Sequence, residues 1–132
     1  MEAQSSLEDV FGPVIYSYSR AQAIEDGVLV DVSETAREAG FTWPVAMTIG
    51  AWVETVSNKP ELKGIQDEGG KLWDVMWMCS LAARKGGTEM AFSVMVRYGR
   101  KEREMRKVDL RAVAGPGDDA EPVITIMLPD ED

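Results

Sequence analysis

Asp118-Asp119-Ala120-Glu121, following Gly115-Pro116-Gly117, is the densest set of candidate ligands in the chain. Carboxylates this close could hold a hard cation, and Asp118 with Asp130 could share acid–base work. The spacing supports neither. An EF-hand loop needs further oxygen ligands and a distal glutamate, and nothing in the sequence carries Asp118 and Asp130 to one cleft. Gly115-Pro116-Gly117 is no phosphate loop, because it lacks the lysine and the following helix. The stretch reads as a turn with an acidic tip. The chain has no histidine and one cysteine, which removes the commonest general base, Ser-His-Asp and Cys-His devices, and any Cys/His zinc site within one chain. Cys79 lies among Met76, Met78 and Ser80 with no adjacent cation to activate it, and reads as a small core residue. No catalytic residue, metal or cofactor is expected.

Charge is the stronger signal. The net charge of −9 is unevenly spread: residues 1–58 carry nine acids and two bases, residues 59–114 eight acids and twelve bases, and residues 115–132 six acids and no base. Acidic ends of this kind serve solubility in the simplest reading; they also attract basic, nucleic-acid-binding proteins and repel nucleic acid itself. The candidate partner-binding carboxylates are Glu25, Asp26, Asp31, Asp118, Asp119, Glu121, Asp130, Glu131 and Asp132. Glu25 and Asp26 fall at the end of a short helix, where its dipole disfavours them; short surface helices tolerate such placements, and a role other than helix stability is the lesser reading. The run Arg97–Lys107 has six bases against two acids, and Arg97, Arg100, Lys101 and Arg103 could contact an anion or RNA. A solvated hairpin tip is the favoured account, because the charge of the whole chain opposes nucleic acid binding. Trp43, beside Pro44, is the candidate interface anchor among the four tryptophans.

The elements that must position these residues follow from periodicity and punctuation. Ser19 caps a helix over residues 20–26 with Gly27 behind it, residues 28–32 form a short strand or extended segment, and Ser33 caps a helix over 34–39. Pro44 suits the first position of a helix, and Val45, Ile49, Trp52, Val53 and Val56 recur at helical spacing. Residues 59–70 are polar, with Pro60 and three glycines, and read as an exposed loop. Between Gly69-Gly70 and Gly86-Gly87 lies a helix over 71–85, apolar nearly all round, which other elements must bury. Its Trp73 and Trp77 are expected to pack on the 45–56 helix. Thereafter the period is two, giving strands over 90–98, 108–114 and 122–129, the last apolar on both faces and therefore central or covered. The expected fold is α+β: N-terminal helices on one face of a small, mainly antiparallel, three-stranded C-terminal sheet, around a buried helix near 71–85.

At 132 residues the chain suits one globular domain, 1–132, that buries roughly two-thirds of its unfolded surface. Residues 1–13 read as frayed and 130–132 as an acidic tail. No apolar run reaches the ~20 residues that span a bilayer, and the first residues have neither the basic nor the apolar block of a signal peptide. With a single cysteine, these features favour the cytoplasm. Oligomeric state is not encoded in any recognisable pattern.

Two blocks carry a family resemblance. Ile15-Tyr16-Ser17-Tyr18-Ser19-Arg20-Ala21-Gln22-Ala23-Ile24-Glu25-Asp26-Gly27-Val28-Leu29-Val30-Asp31-Val32 leads into Glu34–Phe41, and Gly115–Asp119 leads into Glu121–Pro129, with Leu72-Trp73-Asp74-Val75 between them. Together they resemble an uncharacterised domain family of small acidic bacterial proteins carried on plasmids and other mobile elements. The resemblance implies no activity. Small, acidic, histidine-poor proteins of that origin include counter-defence inhibitors of the anti-restriction and anti-CRISPR types, some of which present carboxylates where a groove expects phosphates. The expected function is therefore a non-enzymatic interaction protein that binds a basic protein surface on a nuclease or nucleic-acid-binding complex. A small carboxylate/arginine enzyme or ligand-binding domain is the alternative, and an RNA-binding β-hairpin a third reading.

Overall fold

The computed structural model describes residues 18–57, 64 and 67–131. The short N-terminal elements form close to where the sequence places them, the first of them by capping. Helix α1 (Arg20–Glu25) opens with a reciprocal capping box between Ser19 and Gln22. Strand β1 (Leu29–Asp31) and helix α2 (Ser33–Glu38) follow. Gly27 and Gly40, at φ +80° and +102°, end the two helices in the left-handed conformation that a side chain would strain. Ser33 does not cap α2. Its hydroxyl instead accepts from Val45 N at 3.0 Å and donates to Val45 O at 3.3 Å, tying the start of α2 to the next strand.

The helix expected from Val45 to Val56 is two elements. Val45–Thr48 is strand β2, and only Ile49–Thr55 is helix α3, capped by the Thr48 hydroxyl on Ala51 N at 3.1 Å. β2 pairs antiparallel with β1 and parallel with a C-terminal strand, so Val45, Ala46 and Met47 are buried on both faces. A strand covered on both sides loses its alternation, and here the apolar positions coincide with helical spacing.

Helix α4 spans Glu68–Ala83. It starts ahead of Gly69-Gly70 rather than after them, because Asp67 caps it through Gly70 N at 2.7 Å. It is not a buried spindle. Val75, Met76 and Cys79 face the core, while Trp73 and Trp77 stack on each other on the outer side, ring centroids 6.2 Å apart, and remain 37% and 44% exposed. These tryptophans thus stack on each other and keep a large part of their surface open to solvent, as i, i+4 neighbours on a helix surface can.

Three long strands complete the chain: β3 (Glu89–Arg97), β4 (Met105–Pro116) and β5 (Pro122–Met127). The sheet has five strands, not three, in the order β1-β2-β5-β4-β3. It is antiparallel except for the β2–β5 pair. Recruitment of β1 and β2 makes β5 central, as its apolar faces predict. On one face Met47, Met90, Phe92, Leu110, Ala112 and Ile126 meet α2, α3 and α4 in a single core. α1 lies on the opposite face, so the helices do not all share one side: Arg20 there reaches Thr125, whose neighbours Ile124 and Ile126 point to the core. Residues 1–13, most of the 59–70 segment and Asp132 lie outside the described residues.

Candidate protein interface

The β4–β5 turn, residues 117–121, is docked on the N-terminus of α1. Asp118 places one carboxylate oxygen on Arg20 N at 2.8 Å and the other on Ala21 N at 3.0 Å. These are amides at a helix start that have no partner within the helix, and a carboxylate is the favoured acceptor there. The amides of Ala21 and Arg20 hold the Asp118 carboxyl below the usual carboxylate range, with the Arg20 charge assisting. Asp118 is therefore committed within the molecule. Its role is to join two acidic segments that lie 97–98 positions apart in sequence.

Arg20 sits at the middle of this junction. Its Nη1 donates to Thr125 Oγ1 at 2.6 Å and its Nη2 to Ile124 O at 2.8 Å, so the guanidinium points into the sheet. Burial lowers its pKa, opposed by the charges of Asp31, Asp118 and Glu121 around it. With Ser33 and Pro44 these residues line a shallow cleft of about 190 Å³. Drug-sized ligands occupy roughly 300–1,000 Å³. The cation in this cleft is already bonded, and so are both oxygens of Asp118, which leaves it ill suited to catalysis or ligand capture. Sequence reading missed Arg20. The available signal was its place in the first turn of a helix, where the dipole disfavours a cation.

The other acidic candidates divide. Asp31 accepts Ser33 N at 3.0 Å and stays exposed, as do Glu25, Asp119 and Glu121. Asp26 accepts a hydrogen bond from the Tyr18 hydroxyl, which raises the phenol pKa. Glu25 and Asp26 lie at the far end of α1, roughly 9 Å along its axis from Arg20. Asp31 and Glu121 thus line the cleft around Arg20, with Asp119 on the turn beside Glu121, while Glu25 and Asp26 follow at the other end of α1. Glu131 does not join them. Its carboxylate accepts Thr48 Oγ1 at 2.7 Å and Leu128 N at 2.8 Å, and its carbonyl accepts Arg111 Nη2, so it pins the C-terminal turn. Asp130 is exposed beside it, and Asp132 lies outside the described residues.

The basic candidates are at the opposite end. Arg100, Lys101 and Arg103 occupy the β3–β4 hairpin tip, and Arg97 stands at its base with Nη2 on Arg100 O at 3.3 Å. β4 runs from that tip to the acidic turn, a span of roughly 35 Å at strand rise. That exceeds the Debye length of ~8–10 Å at physiological salt, so the two ends act independently. Trp43 is 44% exposed, on the rim of a groove with Phe41, Gly86 and Met90. Cys79 is buried, and burial pushes its thiol up to about 12. Among the described residues no three His, Cys, Asp or Glu side chains are arranged to hold a metal ion, and no helix is long and apolar enough to cross a membrane.

An α+β domain with a five-stranded mixed sheet is the class that the fold defines. The chain belongs to a family of unknown function, DUF6573, whose profile matches residues 9–132. No curated protein and no solved structure matches the chain.

Proposed function

We propose that this protein is a non-enzymatic interaction domain that binds a basic protein surface through the acidic end built by α1 and the β4–β5 turn. The docking of Asp118 on α1 carries this reading. It gathers acids from both ends of the sequence while Arg20, the cation among them, is turned into the sheet. Glu25, Asp26, Asp31, Asp119 and Glu121 then face solvent, and Arg20 offsets only part of the charge around it. Such a surface accelerates encounter with a positive patch and sets its orientation. The partner class is a nuclease or another nucleic-acid-binding complex, whose groove is built to receive regularly spaced negative charge. The cellular setting that fits is counter-defence on a plasmid or other mobile element, of the anti-restriction or anti-CRISPR type. The immobilised protein should capture such a complex from bacterial host lysate at low salt and release it as salt rises. Capture of no partner at low salt would contradict the proposal.

A further inference from the structure

The two edges of the sheet are unlike each other. β1 is three residues long and offers little to pair with. β3, at the opposite edge, has nine residues, no proline, and charges only at its ends, Glu89 and Arg97. Exposed edges are usually blunted by charge, proline or shortness, and β3 uses none of these along its centre.

The direction of its backbone groups follows from the ladder. Ala114 N donates to Thr88 O at 2.8 Å just before β3, and Tyr98 N to Glu104 O at 2.8 Å just after it. The β3–β4 register between these bonds is unbroken. Antiparallel partners alternate between bonded and non-bonded pairs, so the even-numbered residues of β3 bond to β4. The N–H and C=O groups of Glu89, Ala91, Ser93, Met95 and Arg97 therefore point to the open edge, beyond which no strand lies among the described residues.

Helix α4 packs over β3 and makes a roof for that edge. Met78, Leu81 and Lys85 of α4 line a groove of about 280 Å³ with Phe92 and Ser93. At the hairpin end, Arg97 Nε is buried without a hydrogen-bond acceptor. A carboxylate beside it would satisfy both its charge and its donor.

We propose that β3 accepts an extended peptide strand from another protein, laid antiparallel in the groove beneath α4. The guest carries β-branched apolar side chains at alternate positions, facing Met78 and Leu81. It places an acidic residue opposite Arg97 and a basic one opposite Glu89. This is strand addition, in which main-chain bonds give affinity and alternate side chains give specificity. A second copy of this chain does not fit the same edge. Neighbouring strands lie ~4.8 Å apart. The two-fold axis joining β3 to β3 would set two α4 helices over adjacent strands, inside the 8–10 Å that packed helices require.

The probe is the capped peptide Asp-Val-Thr-Val-Thr-Val-Thr-Val-Lys, titrated into the isotopically labelled full chain and followed by amide NMR. Its valines face α4 when its aspartate lies opposite Arg97. The expected result is saturable shifts at Ala91, Ser93 and Met95. N-methylation of the three threonine amides, which face β3, should weaken binding by at least about tenfold, because several hydrogen bonds are lost. N-methylation of the two central valines, whose amides face away, should leave it unchanged. In Ser93→Pro the melting temperature should fall by no more than a few degrees, since the lost N–H lies outside the ladder and the lost hydroxyl bond to Asp109 is exposed, and the shifts should vanish. The proposal is overturned by an absence of shifts up to about 1 mM peptide, by equal binding of the threonine-methylated peptide, or by a concentration-dependent dimer that competes with the peptide.

Discussion

Replacing Arg20 with Met is the sharpest test of how the acidic end is held together. The side chain is about half buried and makes two hydrogen bonds, to Thr125 Oγ1 at 2.6 Å and Ile124 O at 2.8 Å. Hydrogen bonds from a charged group are each worth about 1.5–3 kcal/mol. Water at the exposed side of the guanidinium recovers part of this for the acceptors it leaves behind, so a net loss of about 2–3 kcal/mol is expected. Removing the cation also leaves Asp31, Asp118 and Glu121 facing one another without a counter-charge. For a chain of 132 residues that loss corresponds to a melting temperature lower by roughly 8–12 °C. Differential scanning calorimetry at neutral pH and low salt measures it directly. Arg20→Lys keeps the charge but cannot fork onto two acceptors, and should recover less than half of the loss. Partner capture by the folded Arg20→Met protein should be retained or strengthened, because the cation is an internal counter-ion. A variant that melts within about 2 °C of the parent would refute the reasoning, since neither bond would then be contributing.

Further outcomes follow from the packing and the charges. The Asp118 carboxyl is held below its unfolded value of about 3.9, so its stabilising contribution is present above that pH and is lost as pH falls through the folded value. Urea midpoints measured between about pH 5 and pH 2 should therefore fall less steeply in Asp118→Asn than in the parent. Met76, fully buried on the inner side of α4, should cost about 2–5 kcal/mol when cut to Ala. Trp77→Ser on the outer side should cost no more than about 1 kcal/mol by the same denaturation assay. Cys79, with its thiol pushed up to about 12 and buried, should resist a colorimetric disulfide reagent at mildly alkaline pH until denaturant is added.

Local rules carried the parts of the fold that depend on neighbours in sequence. Ser19 and Gln22 announce α1, Gly27 and Gly40 close two helices, and the alternation from Met90 to Val96 marks β3. Two misreadings share one cause: both segments are apolar without a clear period. In β2, burial on both faces erased alternation, and Val45, Ile49, Trp52 and Val56 mimicked a helix that starts only at Ile49. In α4, apolar residues all round suggested full burial, yet Trp73 and Trp77 cover each other at the surface. For the candidate interface, the sequence supplies the carboxylates but not their grouping. Asp118 meets α1 across 98 positions, and Glu131 is withdrawn from the acidic set by Thr48 and Arg111. Only Arg20, a cation misplaced in a first helical turn, hinted that something anionic was waiting there.

The central claim is that position, and not net charge, makes the α1 end the binding surface. Two triple variants remove the same charge from different places: Glu25→Gln, Asp119→Asn and Glu121→Gln at the α1 end, and Glu38→Gln, Asp74→Asn and Glu102→Gln elsewhere on the exposed surface. Affinity for the captured partner, measured at low salt, should fall about tenfold or more in the first and change little in the second. Equal losses in both would reduce the acidic end to a share of the overall charge and contradict the account.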